Sequence, residues 1–169
     1  MGQVKVGSNS LMFSPRELTP SQYVADTKTA GSVTLLSQIS LPCLAFAGAE
    51  SRLILRGGTD AGMSPPIDYL RYMFLPLCKQ LFGLEAECFL LRRGFYPAGG
   101  GVVGLGVNGF KEPIQGFQLI ERGELVKVSG VCFIAGLPEH IAKRMRSAAR
   151  KLLESYFDSS SSSSSSSSS

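Results

Sequence analysis

The chain has 169 residues, enough for one domain or for one domain and part of another. Lys and Arg outnumber Asp and Glu by 17 to 13, and the resulting charge of +4 permits a polyanionic partner without requiring one. No apolar run approaches the roughly 20 residues that a membrane-spanning helix needs, so we expect no membrane partner.

The first two thirds of the sequence alternate strand and helix patterns. In chain order we predict a strand or edge hairpin at Val4–Phe13, a helix at Thr27–Ala47 that Pro42 kinks, a short strand at Ser51–Leu55, a helix from Pro65 to a C-cap at Gly83, and strands at Leu84–Leu91 and Val102–Val107. This order predicts an α/β fold, a β-α-β-α-β-β unit with two helices packed on one face of a four-stranded sheet.

The remaining third begins with a linker at Phe110–Phe117. Gln118–Ile134 is then predicted to form one or two strands, and Pro138–Phe157 has the strongest helical periodicity of the chain. Asp158 is followed by serine alone, from Ser159 to Ser169. A serine homopolymer buries no apolar surface, so we expect this tail to be disordered.

Four cysteines are scattered through apolar runs, and no two form a C-x-x-C pair. This pattern predicts buried reduced thiols rather than a metal site or a disulfide framework, and it favours an intracellular, reducing compartment. The residues are Cys43, Cys78, Cys88 and Cys132.

Three consecutive glycines, Gly99, Gly100 and Gly101, lie between the last two predicted strands, just after Arg93, Gly94 and Pro97. Glycine loses much backbone entropy on ordering, so this backbone must need a positive φ, a bulge or a close approach. The pattern is compatible with a tight hairpin or with a phosphate-facing loop. A β-rich run follows instead of a helix, which fits neither a Walker loop nor a Rossmann fingerprint.

The pattern R-G-x-x-P-x-G-G-G resembles the signature of the RNA 3′-terminal phosphate cyclase family. Two further blocks agree with that family in order and spacing. One is Ala25–Val33, which runs on through Gln38 to Cys43, and the other is Leu55–Asp60, followed by Pro65–Tyr69. The resemblance covers roughly residues 4 to 157.

The resemblance implies a core of repeated β-α-β-α-β-β units. Residues 1–117 would hold one full unit and the tail of a preceding one, residues 118–157 the beginning of a smaller inserted domain, and residues 158–169 the serine tail. Compared with the family pattern, we expect this chain to lack the N-terminal glycine-rich block and the C-terminal third that carries the nucleophilic histidine.

The resemblance also implies a chemistry. ATP would adenylylate an enzyme histidine with the help of a divalent metal, Mg or Mn, and AMP would pass to an RNA 3′-phosphate that closes to a 2′,3′-cyclic phosphate. Gln38 matches the glutamine that contacts the adenosine, and Pro65 matches a residue lining the same site. No catalytic or metal-binding residue is carried over to this chain. Location in the nucleoplasm, or in the cytoplasm of a cell without a nucleus, is expected.

Other polar residues remain open to two interpretations. Asp26, Lys28 and Asp60 are predicted in loops at the end of the sheet where α/β proteins hold ligands, although such residues are often solvated or cap a turn. Three arginines could bind phosphate through their guanidinium groups, or could be solvated or paired with carboxylates. These are Arg56, Arg92 and Arg93.

His140 is the only histidine, and an imidazole side chain could serve as a nucleophile or a base. We favour an ordinary residue of the helix surface, and the resemblance agrees, because His140 does not occupy the position of the family's nucleophile.

Three hypotheses therefore stay open. The chain is a truncated cyclase, a non-catalytic cyclase-like factor in ribosomal RNA processing, or an incomplete gene product. One unit taken from a multi-unit core leaves apolar surface uncovered, so the chain would need the missing segments or a partner chain.

Overall fold

The computed structural model describes the backbone of residues 7–163 and the side chains of residues 7–157. The chain divides into two compact units, Met1–Gln118 and Leu119–Ser169. None of the described helices is long and apolar enough to cross a membrane.

The first unit contains a four-stranded mixed sheet. Its strands are β1 (Gln22–Asp26), β2 (Ser51–Gly57), β3 (Ala86–Arg92) and β4 (Gly101–Val107), arranged in the order β1-β2-β4-β3. β1 runs parallel to β2, whereas β4 is antiparallel to both of its neighbours. This mixed sheet confirms the predicted α/β fold class.

Two helices follow β1 and β2. α1 spans Val33–Ala45 and begins where the Ser32 hydroxyl accepts a hydrogen bond from the Leu35 N–H. α2 spans residues 67–82 and contains a π-helical turn at Leu70–Phe74 just before Pro76. Since proline has no N–H to donate to the preceding turn, the wide turn accommodates it. Gly83 ends α2 with φ 69°, as predicted.

Both helices cover the same face of the sheet. In β2 and β4 buried residues alternate with more exposed ones, and the buried set joins the apolar residues of both helices in one core. The other face is open: Val24, Ile54 and Phe89 are 61%, 40% and 54% exposed. The sheet therefore separates a helical layer from an open face. Its core includes Val33, Leu41, Leu53, Leu55, Ile67, Leu75, Val103 and Leu105.

One predicted boundary in the first unit is wrong. The strand or edge hairpin predicted at Val4–Phe13 lies partly outside the described range; among residues 7–13, Met12 forms a β-bridge and none belongs to a strand of the sheet. The first strand of the sheet is β1. β1 is stabilised by its parallel pairing with β2, and the alternation of residues within β1 does not predict that pairing. α1 begins at Val33 rather than Thr27, because Lys28 takes a positive φ of 56° and residues 27–32 form a loop.

The second unit contains α3, which spans Glu139–Ser163 and confirms the helix predicted there. α3 includes the first five residues of the serine run; the remaining serines, 164–169, lie outside the described range. The strands predicted at Gln118–Ile134 are absent from this described segment, so that prediction is wrong. An isolated alternating segment forms a strand only when another strand satisfies its backbone groups, and none pairs with it here.

Candidate functional site

Three loops meet at one end of the sheet, and each belongs to one of the sequence blocks noted above. The Gly58 N–H donates to the Gly31 carbonyl at 2.7 Å, which joins the β2–α2 loop to the β1–α1 loop. The Thr59 N–H donates to the Gly94 carbonyl at 2.8 Å, which joins the β2–α2 loop to the glycine-rich loop. Blocks separated by dozens of residues in sequence thus form one continuous structure.

Close backbone contacts explain the glycines of the signature. A Cβ on Gly94 would lie 2.2 Å from the Gly101 nitrogen and 2.4 Å from the Gly57 carbonyl oxygen. A Cβ on Gly99 would lie 2.3 Å from the Thr29 carbonyl oxygen, and Gly99 also has φ 68°. Both positions therefore exclude a side chain. This part of the loop is packed against neighbouring backbone.

The tip of the loop forms a tight turn. The Tyr96–Pro97 peptide bond is cis, and the Gly99 N–H donates to the Phe95 carbonyl at 2.7 Å. Gly100 has φ 70°, but a Cβ there would meet only the Arg92 guanidinium, at 3.9 Å. Of the three glycines, Gly100 is therefore the one that borders open space beside a cationic side chain.

Arg93 is paired with two carboxylates. Its Nη2 lies 2.8 Å from Asp68 Oδ2, and its Nη1 lies 3.3 Å from Asp60 Oδ2. The three side chains, which we call the Arg93 clamp, are each a quarter exposed or less. The Thr59 hydroxyl also donates to Asp60, at 2.7 Å. Of the two interpretations of Arg93, the structure supports the pairing with carboxylates.

Arg92 lies on the open face of the sheet because β3 contains a bulge. Leu90 is opposite Val103 and Arg92 is opposite Val102, so Leu91 is an extra residue in β3. Val103 is fully buried under the helices, and Val102 points to the other face. Without the extra residue, Arg92 would fall on the helix side. The bulge therefore directs two consecutive arginines to different surroundings.

A cleft of about 410 Å³ lies at this end of the sheet. Asp26, Arg56 and Arg92 reach it from neighbouring strands, because Asp26 is opposite Arg56, and both Arg56 and Arg92 are opposite Val102. Lys28 lines it from the β1–α1 loop. We call this set the basic cleft, and Thr29, Gly57, Ala98, Gly100 and Gly101 also line it.

The charges in the basic cleft are largely uncompensated. Among the described residues, the side chains of Lys28 and Arg56 make no hydrogen bond and no ion pair. Arg92 Nε donates to the Gly100 carbonyl at 2.6 Å, which leaves its other two nitrogens available. The one carboxylate, Asp26, accepts a hydrogen bond from the Lys28 N–H at 2.7 Å. Three cations thus share the cleft with one anion, an arrangement suited to an anionic ligand.

The predicted adenosine-binding residues lie elsewhere, on the helical layer. The Thr34 hydroxyl of α1 donates to the Pro65 carbonyl at 2.6 Å, and Gln38 follows Thr34 by one helical turn on the same side of α1. Both Gln38 and Pro65 are exposed, and the Gln38 amide makes no hydrogen bond with any described residue. The structure brings the two residues to one side of the first unit, and their role stays a prediction.

The described residues do not form a cluster of metal-binding side chains. Among the described residues, no group of three or more His, Cys, Asp and Glu side chains is placed to hold one. Asp60 and Asp68 are engaged by Arg93. His140 is exposed in the first turn of α3 and makes no hydrogen bond with the described residues, which agrees with its interpretation as a surface residue.

All four cysteines are free thiols, but their burial differs. Cys78 is buried, and Cys88 and Cys132 are partly buried. Cys43 is exposed, so the prediction of burial is wrong there; α1 carries apolar residues on nearly all sides and covers the sheet with only one of them. Burial raises the pKa of the Cys88 thiol to about 11, so this thiol is poorly suited to act as a nucleophile.

A family model and individual curated proteins both match this chain, and both carry the same description. A family model described as "RNA 3′-terminal phosphate cyclase" matches residues 1–162. Curated proteins of that name from Ignicoccus hospitalis and Staphylothermus marinus are 42% identical to the chain over 151 residues, and one from Hyperthermus butylicus is 40% identical over 152 residues. The alignments cover 89% to 90% of this chain but 42% of each relative, so the chain spans about two fifths of their length. The resemblance predicted from the three sequence blocks is confirmed.

Proposed function

Because the chain belongs to the RNA 3′-terminal phosphate cyclase family, we propose that it forms part of an enzyme that converts an RNA 3′-phosphate into a 2′,3′-cyclic phosphate with ATP. In the proposed reaction a histidine nitrogen attacks the α-phosphorus of ATP and releases pyrophosphate. An oxygen of the RNA 3′-phosphate then takes the AMP group from the histidine. The neighbouring 2′-hydroxyl attacks the activated phosphorus, loses its proton and expels AMP.

Within this reaction we assign Gln38 and Pro65 to the adenosine. The observation that carries this assignment is the Gln38 amide, which is exposed and makes no hydrogen bond with the described residues. An amide offers both a donor and an acceptor to an adenine edge, and proline offers an apolar wall. The Thr34–Pro65 hydrogen bond of 2.6 Å holds the β2–α2 loop beside the same side of α1.

We further propose that no residue of this sequence is the nucleophile. His140 lies in the second unit, exposed in the first turn of α3, and Cys88 is held in its protonated form. The attacking imidazole would then come from the part of a family-length protein that the alignments do not cover. Incubation with ATP labelled at the α-phosphate tests this point. We expect no label on the chain, whereas a covalent AMP adduct would overturn it.

The adenosine assignment is tested by measuring ATP binding to the chain by calorimetry. We expect Gln38→Ala to weaken binding about tenfold, because the adenine loses two hydrogen bonds. Gln80→Ala is the matched control, since Gln80 is an exposed glutamine of α2 that is outside the proposed site. Equal affinities of the two variants would refute the assignment, and so would a chain that binds no ATP.

A further inference from the structure

We propose that the basic cleft binds a phosphate group of the RNA strand, at a site separate from the adenosine site. The RNA partner rests on the proposed function, whereas the site itself rests on the geometry of Lys28, Arg56 and Arg92. The sequence offered each of these three residues as a candidate separately and did not place them together. They form a site only because the sheet register and the β3 bulge bring them together.

The charge balance favours a phosphate ligand. Several basic side chains of the chain are paired with a nearby acid, as Arg52 is with Glu50 at 2.8 Å. Arg56 and Lys28 have no such partner among the described residues, although both line the same cleft. Three cations and one carboxylate, Asp26, leave the cleft with an excess of positive charge, and a phosphate group would offset that excess. Each guanidinium group can also donate two parallel hydrogen bonds to two oxygens of one phosphate.

The position of the cleft favours RNA over ATP as the source of that phosphate. Arg56 and Arg92 lie on the open face of the sheet, whereas Gln38 belongs to α1 in the helical layer. The sheet therefore stands between the adenosine site and these arginines. A strand of RNA lying along the open face would reach the cleft without crossing the sheet. The arginines would neutralise its backbone and fix its register.

Backbone groups complete the site. Gly100, with φ 70°, leaves open space where another residue would place a side chain, and it faces the Arg92 guanidinium. Arg92 is oriented by its hydrogen bond to the Gly100 carbonyl at 2.6 Å, so its position is set before a ligand arrives. Side-chain order that exists before binding reduces the entropy lost on binding. The glycine loop thus serves the cleft as a support and as one of its walls.

The test measures binding of a fluorescent oligoribonucleotide that ends in a 3′-phosphate, as a function of salt. We expect Arg56→Gln to weaken binding about tenfold. The slope of the logarithm of the binding constant against the logarithm of the salt concentration should become shallower by about 0.7, the value for loss of one phosphate contact on a single strand. Arg52→Gln is the matched control: it removes the same charge from the same face of the same strand, at a guanidinium already paired with Glu50. Its affinity should stay within twofold of the unmodified chain.

Two further ligands, a 3′-hydroxyl RNA and ATP, decide between the sources of phosphate. If Arg56→Gln weakens binding of 3′-hydroxyl RNA and of 3′-phosphate RNA equally, the cleft binds a phosphodiester of the RNA backbone. If it weakens binding of 3′-phosphate RNA alone, the cleft binds the terminal phosphate. Both outcomes support the proposal. If Arg56→Gln weakens ATP binding and leaves RNA binding unchanged, the cleft serves the nucleotide and the proposal fails. Equal losses for Arg56→Gln and Arg52→Gln, or no RNA binding by the unmodified chain, also overturn it.

If Arg56→Gln disturbs the fold, Lys28→Gln provides a second variant. Lys28 lies in a loop outside the sheet. We expect Lys28→Gln to weaken RNA binding by a similar factor. The Gln38→Ala experiment addresses a different ligand and a different face, so the two proposals can fail independently. A chain that binds RNA through Arg56 but does not bind ATP would retain the cleft and lose the adenosine assignment.

Discussion

Arg92 and Arg93 are neighbours in the sequence, yet they lie in opposite electrostatic environments. Arg93 is held by Asp60 and Asp68 and is about a quarter exposed. Arg92 makes its described hydrogen bond to a neutral carbonyl and lines a cleft with two other cations. The comparison shows that basic residues in one signature need not share a role. What an arginine does depends on whether an acid already occupies its guanidinium.

The difference also separates stability from binding. Removing Arg93 would leave two partly buried carboxylates without a counterion, so its loss should cost stability. Removing Arg92, Arg56 or Lys28 would relieve repulsion among exposed cations, so its loss should cost little stability and mainly affect an anionic ligand. The clamp is therefore a structural device, and the cleft is a candidate binding site.

The largest effect is expected at the point where the clamp meets the glycine loop. Gly94→Ala would place a Cβ within 2.4 Å of two backbone atoms, and backbone cannot move aside as a flexible side chain does. We expect it to lower the free energy of unfolding by at least about 3 kcal/mol, measured by urea denaturation. In the control Gly116→Ala the new Cβ meets nothing within 4 Å, and its effect should stay within about 0.5 kcal/mol. Similar costs at both positions would refute the packing argument.

The second prediction tests the comparison directly. Arg93→Met should cost about 2 kcal/mol of unfolding free energy, a value reduced from that of a fully buried pair because the side chains are partly solvated. Arg92→Met should cost less than about 1 kcal/mol, because it removes one exposed hydrogen bond. If Arg92→Met proves the more destabilising change, the assignment of clamp and cleft is reversed.

A double-mutant cycle separates the ion pair from other effects of the methionine. Asp68→Asn should be destabilising in the unmodified chain and nearly neutral, or even stabilising, in the Arg93→Met background, because the carboxylate no longer has a guanidinium to lose. A coupling below about 0.5 kcal/mol would show that the 2.8 Å contact contributes nothing measurable.

The smallest effect concerns Cys88, whose thiol lies near Asp68 and Arg71. Burial raises its pKa from 9.0 to about 11, so roughly one molecule in a thousand carries a thiolate at pH 8. We expect N-ethylmaleimide to modify the exposed Cys43 well before Cys88, as followed by peptide mass spectrometry. Arg93→Met should accelerate Cys88 modification severalfold by loosening the clamp, whereas Arg92→Met should not.

The same thiol gives a pH dependence of definite sign. Because the folded state holds the proton more tightly than the unfolded chain, the contribution of Cys88 to stability is complete below pH 9.0 and is lost as pH rises towards 11. Cys88→Ser should reduce the loss of stability between these two pH values. An unchanged pH profile in that variant would contradict the raised pKa.

Much of the fold was accessible from local pattern. The helical stripe that became α2, the C-cap at Gly83, and the strand after the glycine triplet depend on residues close together in the chain. The glycine triplet does end a hairpin, since β3 and β4 on either side of this loop pair antiparallel. β1 and the segment Gln118–Ile134 were mispredicted because a strand is decided by a partner that its own residues do not specify.

The sequence did not predict which arginine is paired with carboxylates and which lines the basic cleft. Arg93 meets acids that precede it by 33 and 25 residues, and nothing local to Arg93 indicates either contact. The bulge at Leu91 that separates Arg92 from Arg93 leaves no clear signature, because a bulge arises from the pairing of two strands. Lys28 lines the cleft from a loop in which it has a positive φ of 56°, and its proximity to Arg56 and Arg92 follows from the fold.

By itself the sequence determined the family, the α/β class and the glycines that the close loop contacts require. Those properties are encoded in hydrophobic periodicity and in residue types that only certain backbone conformations accept. Only the tertiary structure decided which cations are neutralised and which share the basic cleft. Electrostatic partnership depends on distance in space, and strand register sets that distance between residues that are far apart in the chain.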